Sequence, residues 1–186
     1  MPSVVPAVVI HHPAATTLED SYTQIEQLGA ATGNIDGAAS LVVSMQSEID
    51  RLVTSMPDLE EPLSYYHELD SSLFSVTSET FIGEIYSLVG LENIADEAEG
   101  FETQYPQLSA EYIIDADPDL VFLADTKCCG ESPETVAARP GWEQLTAVSR
   151  GSVVPLDDDV ASRWGPRVVE LLETIVGAVL MGADGS

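Results

Sequence analysis

The sequence predicts an α/β fold with a mostly parallel sheet flanked by helices. Three observations carry that expectation. From about residue 63 to 181, short β-branched apolar runs alternate with segments whose apolar residues recur at helical spacing, the order that builds parallel sheets through crossover connections. The run DPDLVFLAD, residues 117–125, is apolar without alternation, as suits a strand covered on both faces. Residues 36–56 carry a long helical stripe of Leu41, Val42, Met45, Ile49, Leu52, Val53 and Met56, uninterrupted by proline, so one long helix of roughly 30 Å precedes the alternating region.

In chain order, residues 4–10 form an apolar β-branched run that reads as a buried strand. Thr17 with Asp20 resembles a capping box, and Leu18, Tyr22, Ile25 and Leu28 keep helical spacing until Gly29 or Gly33 ends the segment. The long helix follows, and Pro57 and Pro62 bracket an acidic break. Residues 63–69, LSYYHEL, read as a strand. Ser78 is the expected cap of a helix with Phe81, Ile82, Ile85, Leu88 and Val89 inward and Gly90 as its stop. Ser109 caps a short helix, AEYIIDA, ahead of the 117–125 strand. Ser132 and Pro133 begin another helix, since proline suits the first helical position. SVVPL, residues 152–156, is the next strand, and Pro166 opens a last helix striped by Val168, Leu172, Ile175, Val176 and Val179.

The chain has 186 residues, 45% of them hydrophobic, with a net charge of −26 from 32 acidic and six basic side chains. That apolar content builds a packed core in one domain or slightly more. The charge excludes nucleic acid and anionic lipid as partners, because both require lysine and arginine stripes. The two cysteines, Cys128 and Cys129, are adjacent, so they form neither a disulfide framework nor a zinc spacing. No apolar run approaches the length of a membrane span, and no secretory leader pattern is visible.

Enzyme signatures are lacking: there is no nucleophile elbow, P-loop, dinucleotide fingerprint or C-x-x-C. His11 and His12 on a strand would point to opposite faces and chelate poorly. His67 and Glu68 end a strand and either face a cleft or form a loop-facing polar pair. Together with Cys128 and Cys129 they define the competing reading, a one-lobe metal-dependent enzyme, should they converge in one pocket. A third class is an interaction module without a cleft. The better constellation follows the carboxyl ends of strands, where open α/β sheets bind ligands: Phe74, Tyr105, Asp159, Arg163 and Trp164. Aromatic faces give flat contact area and arginine gives forked donors. On the residues alone, the favoured reading of Asp159 and Arg163 is an acid–base pair that only fixes a loop to the start of the last helix.

The blocks SLVGLENIAD, YPQLSAEYIIDADPDLVFLAD, RPGWEQLTAV and VVPLDDDVASRWGPRVVELL resemble the C-terminal lobe of the periplasmic binding proteins of ABC importers for vitamin B12 and iron-siderophores. The resemblance covers most of the chain. It implies a two-lobe, helix-linked design with the first lobe largely missing: residues 1–35 as its remnant, 36–58 as the connecting helix and 59–186 as the ligand-binding lobe. It implies capture of a cobalamin-type corrinoid or metal chelate, alternatively an iron-siderophore or haem, without covalent chemistry and without a resident cofactor or metal. It implies an ABC permease as partner and a periplasmic or cell-surface location, with the membrane reached only through the permease or a lipid anchor outside this chain. By the same resemblance, Phe74, Tyr105, Asp159 and Arg163 line the ligand cleft, and Glu111 docks to permease arginines. Glu111 also suits a structural role, as a carboxylate in a helix's first turn. Arg167 reads as structural, since a cation at a helix start opposes the dipole and calls for a carboxylate partner.

Overall fold

The computed structural model describes residues 9–59, 61–98 and 103–183. Eight α-helices and four strands alternate: α1 (Leu18–Thr32), α2 (Ile35–Thr54), β1 (Ser64–Glu68), α3 (Phe81–Ser87), β2 (Glu92–Asn93), α4 (Ala110–Ala116), β3 (Leu120–Leu123), α5 (Pro133–Ala137), α6 (Thr146–Ser149), β4 (Val153–Pro155), α7 (Asp158–Ala161) and α8 (Val168–Ala183). The expected strand at 4–10 lies outside the described residues except for Val9 and Ile10, which are exposed and carry no strand.

The four strands form one parallel sheet in the order β2-β1-β3-β4. Side chains alternate between its faces. Tyr65, Leu120 and Phe122 point into a core shared with α1, α2, α3 and α8. Tyr66, Val121, Leu123 and Val153 point into a second core with Leu108, Ile113, Val136 and Trp142. Both faces are covered, so the strands read as continuous apolar runs. Burying each large side chain contributes about 1.5–3 kcal/mol.

Local chemistry explains the element ends. Thr17 and Asp20 close a full capping box, and Gly33 ends α1 in the left-handed region. The Glu84 carboxylate accepts the Leu18 N–H at 2.7 Å, which ties the start of α1 to α3. The long helix is unbroken over 20 residues and packs against α1 and α8. Its buried line is Val42, Met45, Ile49 and Leu52, whereas Leu41 is exposed, as is Leu28 in α1. Ser132 makes a capping box with Thr135.

Two expectations need correction, and one strand was unforeseen. Ser78 does not cap α3; Thr80 does, its hydroxyl accepting the Gly83 N–H, while Ser78 bonds Asp96. A Cβ on Gly83 would stand 2.2 Å from the Thr77 carbonyl, so only glycine lets this cap fold back so closely. The last helix begins at Val168 rather than Pro166; Gly165–Val168 first makes a turn, with the Val168 N–H donating to the Gly165 carbonyl. The edge strand β2 was not anticipated, because its two residues are too few to show a pattern.

Candidate functional site

Chain order and strand order diverge between β1 and β3: from β1 the chain moves outward to β2, then returns to the other side as β3. The loops leaving the carboxyl ends of β1 and β3 therefore part there and open a crevice, the position where such sheets hold ligands. Three loops frame that edge.

The loop after β1 turns at Asp70, whose side chain accepts the Ser72 N–H at 2.7 Å and whose carbonyl accepts the Leu73 N–H at 2.9 Å. Leu73 is left-handed at φ 67°, a conformation that costs a non-glycine residue free energy. It directs Phe74 into an antiparallel bridge with Gln107. Ser75 and Thr77 donate to the carbonyls of Pro106 and Gln104, and Leu108 to that of Leu73. This zipper brings the Phe74 and Tyr105 segments side by side, with both rings largely exposed at 37% and 49%.

The loop after β4 carries three consecutive aspartates with three different tasks. Asp157 caps α7 through the Asp159 N–H and pairs with Lys127 at 2.7 Å and Arg167 at 3.6 Å; the Lys127 contact holds its carboxyl below the usual range. Asp158 accepts the N–H groups of Lys127 and Cys128 and the Thr126 hydroxyl, all within 2.9–3.1 Å. Burial raises its pKa, but those bonds outweigh burial and leave it lowered. Asp159 pairs with Arg163 at 3.1 Å, in full view of solvent. Trp164 beside it is exposed. Arg167 pairs with Glu170 at 2.8 Å as well as with Asp157, the structural role expected of it.

The loop after β3 is a single clamped turn. The Cys129 N–H donates to the Asp125 carbonyl at 3.1 Å, and Gly130 leaves the turn at φ 78°. Cys128 and Cys129 are free and exposed. The Cys128 Sγ lies 3.7 Å from the Asp125 carbonyl oxygen; the neighbouring Cys129 side chain, partial desolvation and the Asp158 and Asp125 carboxylates push the Cys128 thiol up to about 12.

Beneath this edge lies a buried ionic layer that sequence reasoning missed apart from Glu68. Arg139 holds both Glu68 oxygens at 2.6 Å and Glu131 at 2.8 Å, with its guanidinium 4.6 Å from the centre of the Trp142 ring. Burial raises the Glu68 pKa, and Arg139 only partly offsets it. Asp125 is fully buried with neither carboxylate oxygen bonded to protein. Burial, then Glu68 and Glu131, push it up to about 7. The partners of Arg139 stand 71 and 8 residues away, too far for any local spacing to betray them. On the opposite sheet face, His67 bonds the Tyr86 hydroxyl at 2.8 Å, and burial depresses its pKa to about 3.

His67 and Glu68 are therefore a buried pair on opposite faces, neither loop-facing nor cleft-facing. They do not converge with the exposed cysteines, so the constellation on which the enzyme reading rested is not assembled. Glu111 is exposed in the first turn of α4. Among the described residues, no group of three or more His, Cys, Asp or Glu side chains is arranged to hold a metal ion. A cavity of about 460 Å³ opens beside β2, lined by Ser64, Ser78, Asn93, Asp96 and Tyr112 among others. None of the expected ligand residues lines it, and Ser64 and Glu92 place it towards the amino ends of β1 and β2, away from the crevice.

A profile of the family described as "Periplasmic binding protein" matches residues 4–160. The chain is 27% identical over 169 residues to an uncharacterized ABC transporter substrate-binding lipoprotein, YvrC, of Bacillus subtilis, covering 89% of this chain and 51% of that protein. It is 28% identical over 169 residues to a cobalamin-binding protein of Halobacterium salinarum, covering 89% of this chain and 45% of that protein. Its fold matches the crystal structure of a possible iron-binding (periplasmic solute-binding) protein of Staphylococcus epidermidis with a TM-score of 0.75 at 23% identity, over 89% of this chain and 63% of that one. The chain thus spans about half the length of these curated relatives.

Proposed function

We propose, from the premise that this chain belongs to the periplasmic binding protein family, that it forms one ligand-binding lobe of the capture component of an ABC importer. Its cargo is a cobalamin-type corrinoid, delivered without covalent chemistry to a membrane permease from the periplasm or the cell surface. The long helix α2 serves as the connector between this lobe and a second one, which supplies the other wall of the cleft.

The observation that carries this reading is the exposure of Phe74, Tyr105 and Trp164 on loops at the carboxyl edge of a parallel sheet, with the Asp159–Arg163 pair exposed on the loop after β4. Exposed aromatics offer flat apolar area to a broad ring system, and the ion pair offers an acceptor and forked donors to peripheral amides. A surface of net charge −26 repels anionic ferric chelates at long range, which favours a corrinoid over a siderophore.

Titration calorimetry of the chain with cyanocobalamin, and separately with a ferric siderophore, tests this. Weak binding of cyanocobalamin is expected, with a Kd above roughly 1 μM, because one wall leaves the ligand half solvated. Trp164→Ala and Phe74→Ala should each weaken it further, by about 1 kcal/mol or more. Binding of cyanocobalamin that is indifferent to both substitutions removes the rim assignment. A preference for the siderophore removes the corrinoid, and a sub-micromolar Kd removes the two-walled cleft.

A further inference from the structure

We propose that Cys128 and Cys129 form a two-thiolate site for a soft, thiophilic metal ion, placed where the strand order reverses. Both thiols are exposed and uncrosslinked and belong to neighbouring residues of one turn, with the Cys128 Sγ 3.7 Å from the Asp125 carbonyl oxygen. They ride on a turn that is held at both ends. The Cys129 N–H is bound to the Asp125 carbonyl, and the Asp158 carboxylate gathers the Thr126 hydroxyl and the N–H groups of Lys127 and Cys128. The Thr126 hydroxyl also donates to the Leu156 carbonyl at 2.8 Å. A donor pair fixed in this way loses little conformational freedom when it takes a ligand.

Geometry favours a bridging ion over a disulfide. Neighbouring Cα atoms stand about 3.8 Å apart across a trans peptide, whereas disulfide-linked Cα atoms are usually about 4.4–6.8 Å apart. Closing the Cys128–Cys129 bond would distort the intervening peptide and strain the hydrogen bonds to Asp158 and Asp125. An ion with metal–sulfur bonds of about 2.3 Å joins two sulfurs that stand farther apart than a disulfide bond allows.

Charge favours a cation as well. Asp157, Asp158 and Asp159 surround the turn, and Lys127 is already engaged by Asp157 and Asp159. The exchange is M²⁺ + 2 RSH → M(SR)₂ + 2 H⁺, so an ion that replaces two thiol protons leaves the local charge unchanged. Two bare thiolates would instead add two negative charges to an acidic surface. With no third His, Cys, Asp or Glu arranged as a ligand among the described residues, structural zinc, which takes four protein ligands, and oxygen-seeking Mg²⁺ and Ca²⁺ are poorly served. Thiolate ligands alone select soft ions, with water completing the coordination. This inference stands independently of the corrinoid reading.

The test is titration of the reduced chain with Cd²⁺, without added thiol and in excess Mg²⁺. One ion per chain should bind with a thiolate-to-cadmium ultraviolet absorption band and release about two protons. Cys128→Ser and Cys129→Ser should each weaken binding roughly tenfold or more, because the second donor no longer acts at high effective concentration. Both positions are exposed, so the thermal midpoint should not change. Cadmium bound without the band, or bound equally by either serine variant, would be held by surface carboxylates or one thiol and would overturn the proposal. The absence of stoichiometric binding overturns it too.

Discussion

Asp125 is the residue most out of keeping with its surroundings. Its carboxyl is fully buried with neither oxygen bonded to a protein side chain; burial and the charges of Glu68 and Glu131 raise its pKa, and its own backbone and Arg139 offset them only in part. Its folded pKa of about 7 lies above the ordinary aspartate value of 3.8. Between those values the folded chain holds the proton more tightly than the unfolded one. The stability this group contributes is therefore present below about pH 4 and is lost as pH rises through 7. His67 acts in the opposite sense: its pKa of about 3 against an ordinary histidine value of 6.5 withdraws stability as pH falls below 6.5. Asp125→Asn keeps the shape and removes the charge. It should stabilise the fold at pH 8, by on the order of 4 kcal/mol at most, and so raise the thermal midpoint there, and it should flatten the dependence on pH between about 4 and 7. Melting curves of both proteins at pH 5 and 8 decide; an asparagine variant that melts lower than the parent at pH 8 would refute the assignment.

Among the elements, α5 matters beyond its five residues. Glu131 and Arg139 stand at either side of it, so the helix holds the ionic layer beneath the sheet edge. The Glu68 carboxylate is fully buried and depends on Arg139. Arg139→Ala should therefore cost about 3–5 kcal/mol, the loss typical of stranding one member of a buried pair. Arg139→Met with Glu68→Gln should recover much of it, because no charge is then left unpaired. Chemical denaturation of the single and double variants measures this; equal stabilities for the two would show that Glu68 does not need the pair. The elements legible in the sequence were those with a cap and a stripe: α1 by Thr17 and Asp20, α2 by its long apolar line, α5 by Ser132 and Pro133, and β3 by its unbroken apolar run. The α3 cap was misplaced because Ser78 and Thr80 are both chemically suitable, and the bond from Ser78 to Asp96, 18 residues away, settles which one is free to cap. The short helix α7 was not anticipated between the SVVPL strand and the last helix, yet Asp157 caps it.

For the whole molecule, the helices before and after β3 run back against the strands, so the start of α4 lies at the carboxyl edge of the sheet with the three loops. Glu111 is exposed there, as the expected docking to permease arginines requires. Exposed ion pairs contribute about 0.2–1 kcal/mol each, and more once an interface desolvates them. Glu111→Arg should leave the thermal midpoint and the cyanocobalamin titration unchanged, and should reduce importer-dependent uptake. A lowered midpoint with normal uptake would leave Glu111 a purely structural role in the first turn of α4.

The sequence by itself determined the α/β class, the parallel sheet, the long helix and the exposed aromatic and charged candidates, because apolar periodicity and capping act over a few residues and are written in adjacent positions. Only the tertiary structure decided what those candidates touch. It zipped Phe74 to the Tyr105 segment, turned His67 and Glu68 to opposite faces of the sheet, and divided three adjacent aspartates among Lys127, the Cys128 turn and Arg163. It also joined Arg139 to Glu68 across 71 residues. Such contacts depend on strand order and on which loops share an edge, and strand pairing leaves no mark on the spacing of residues so far apart in the chain.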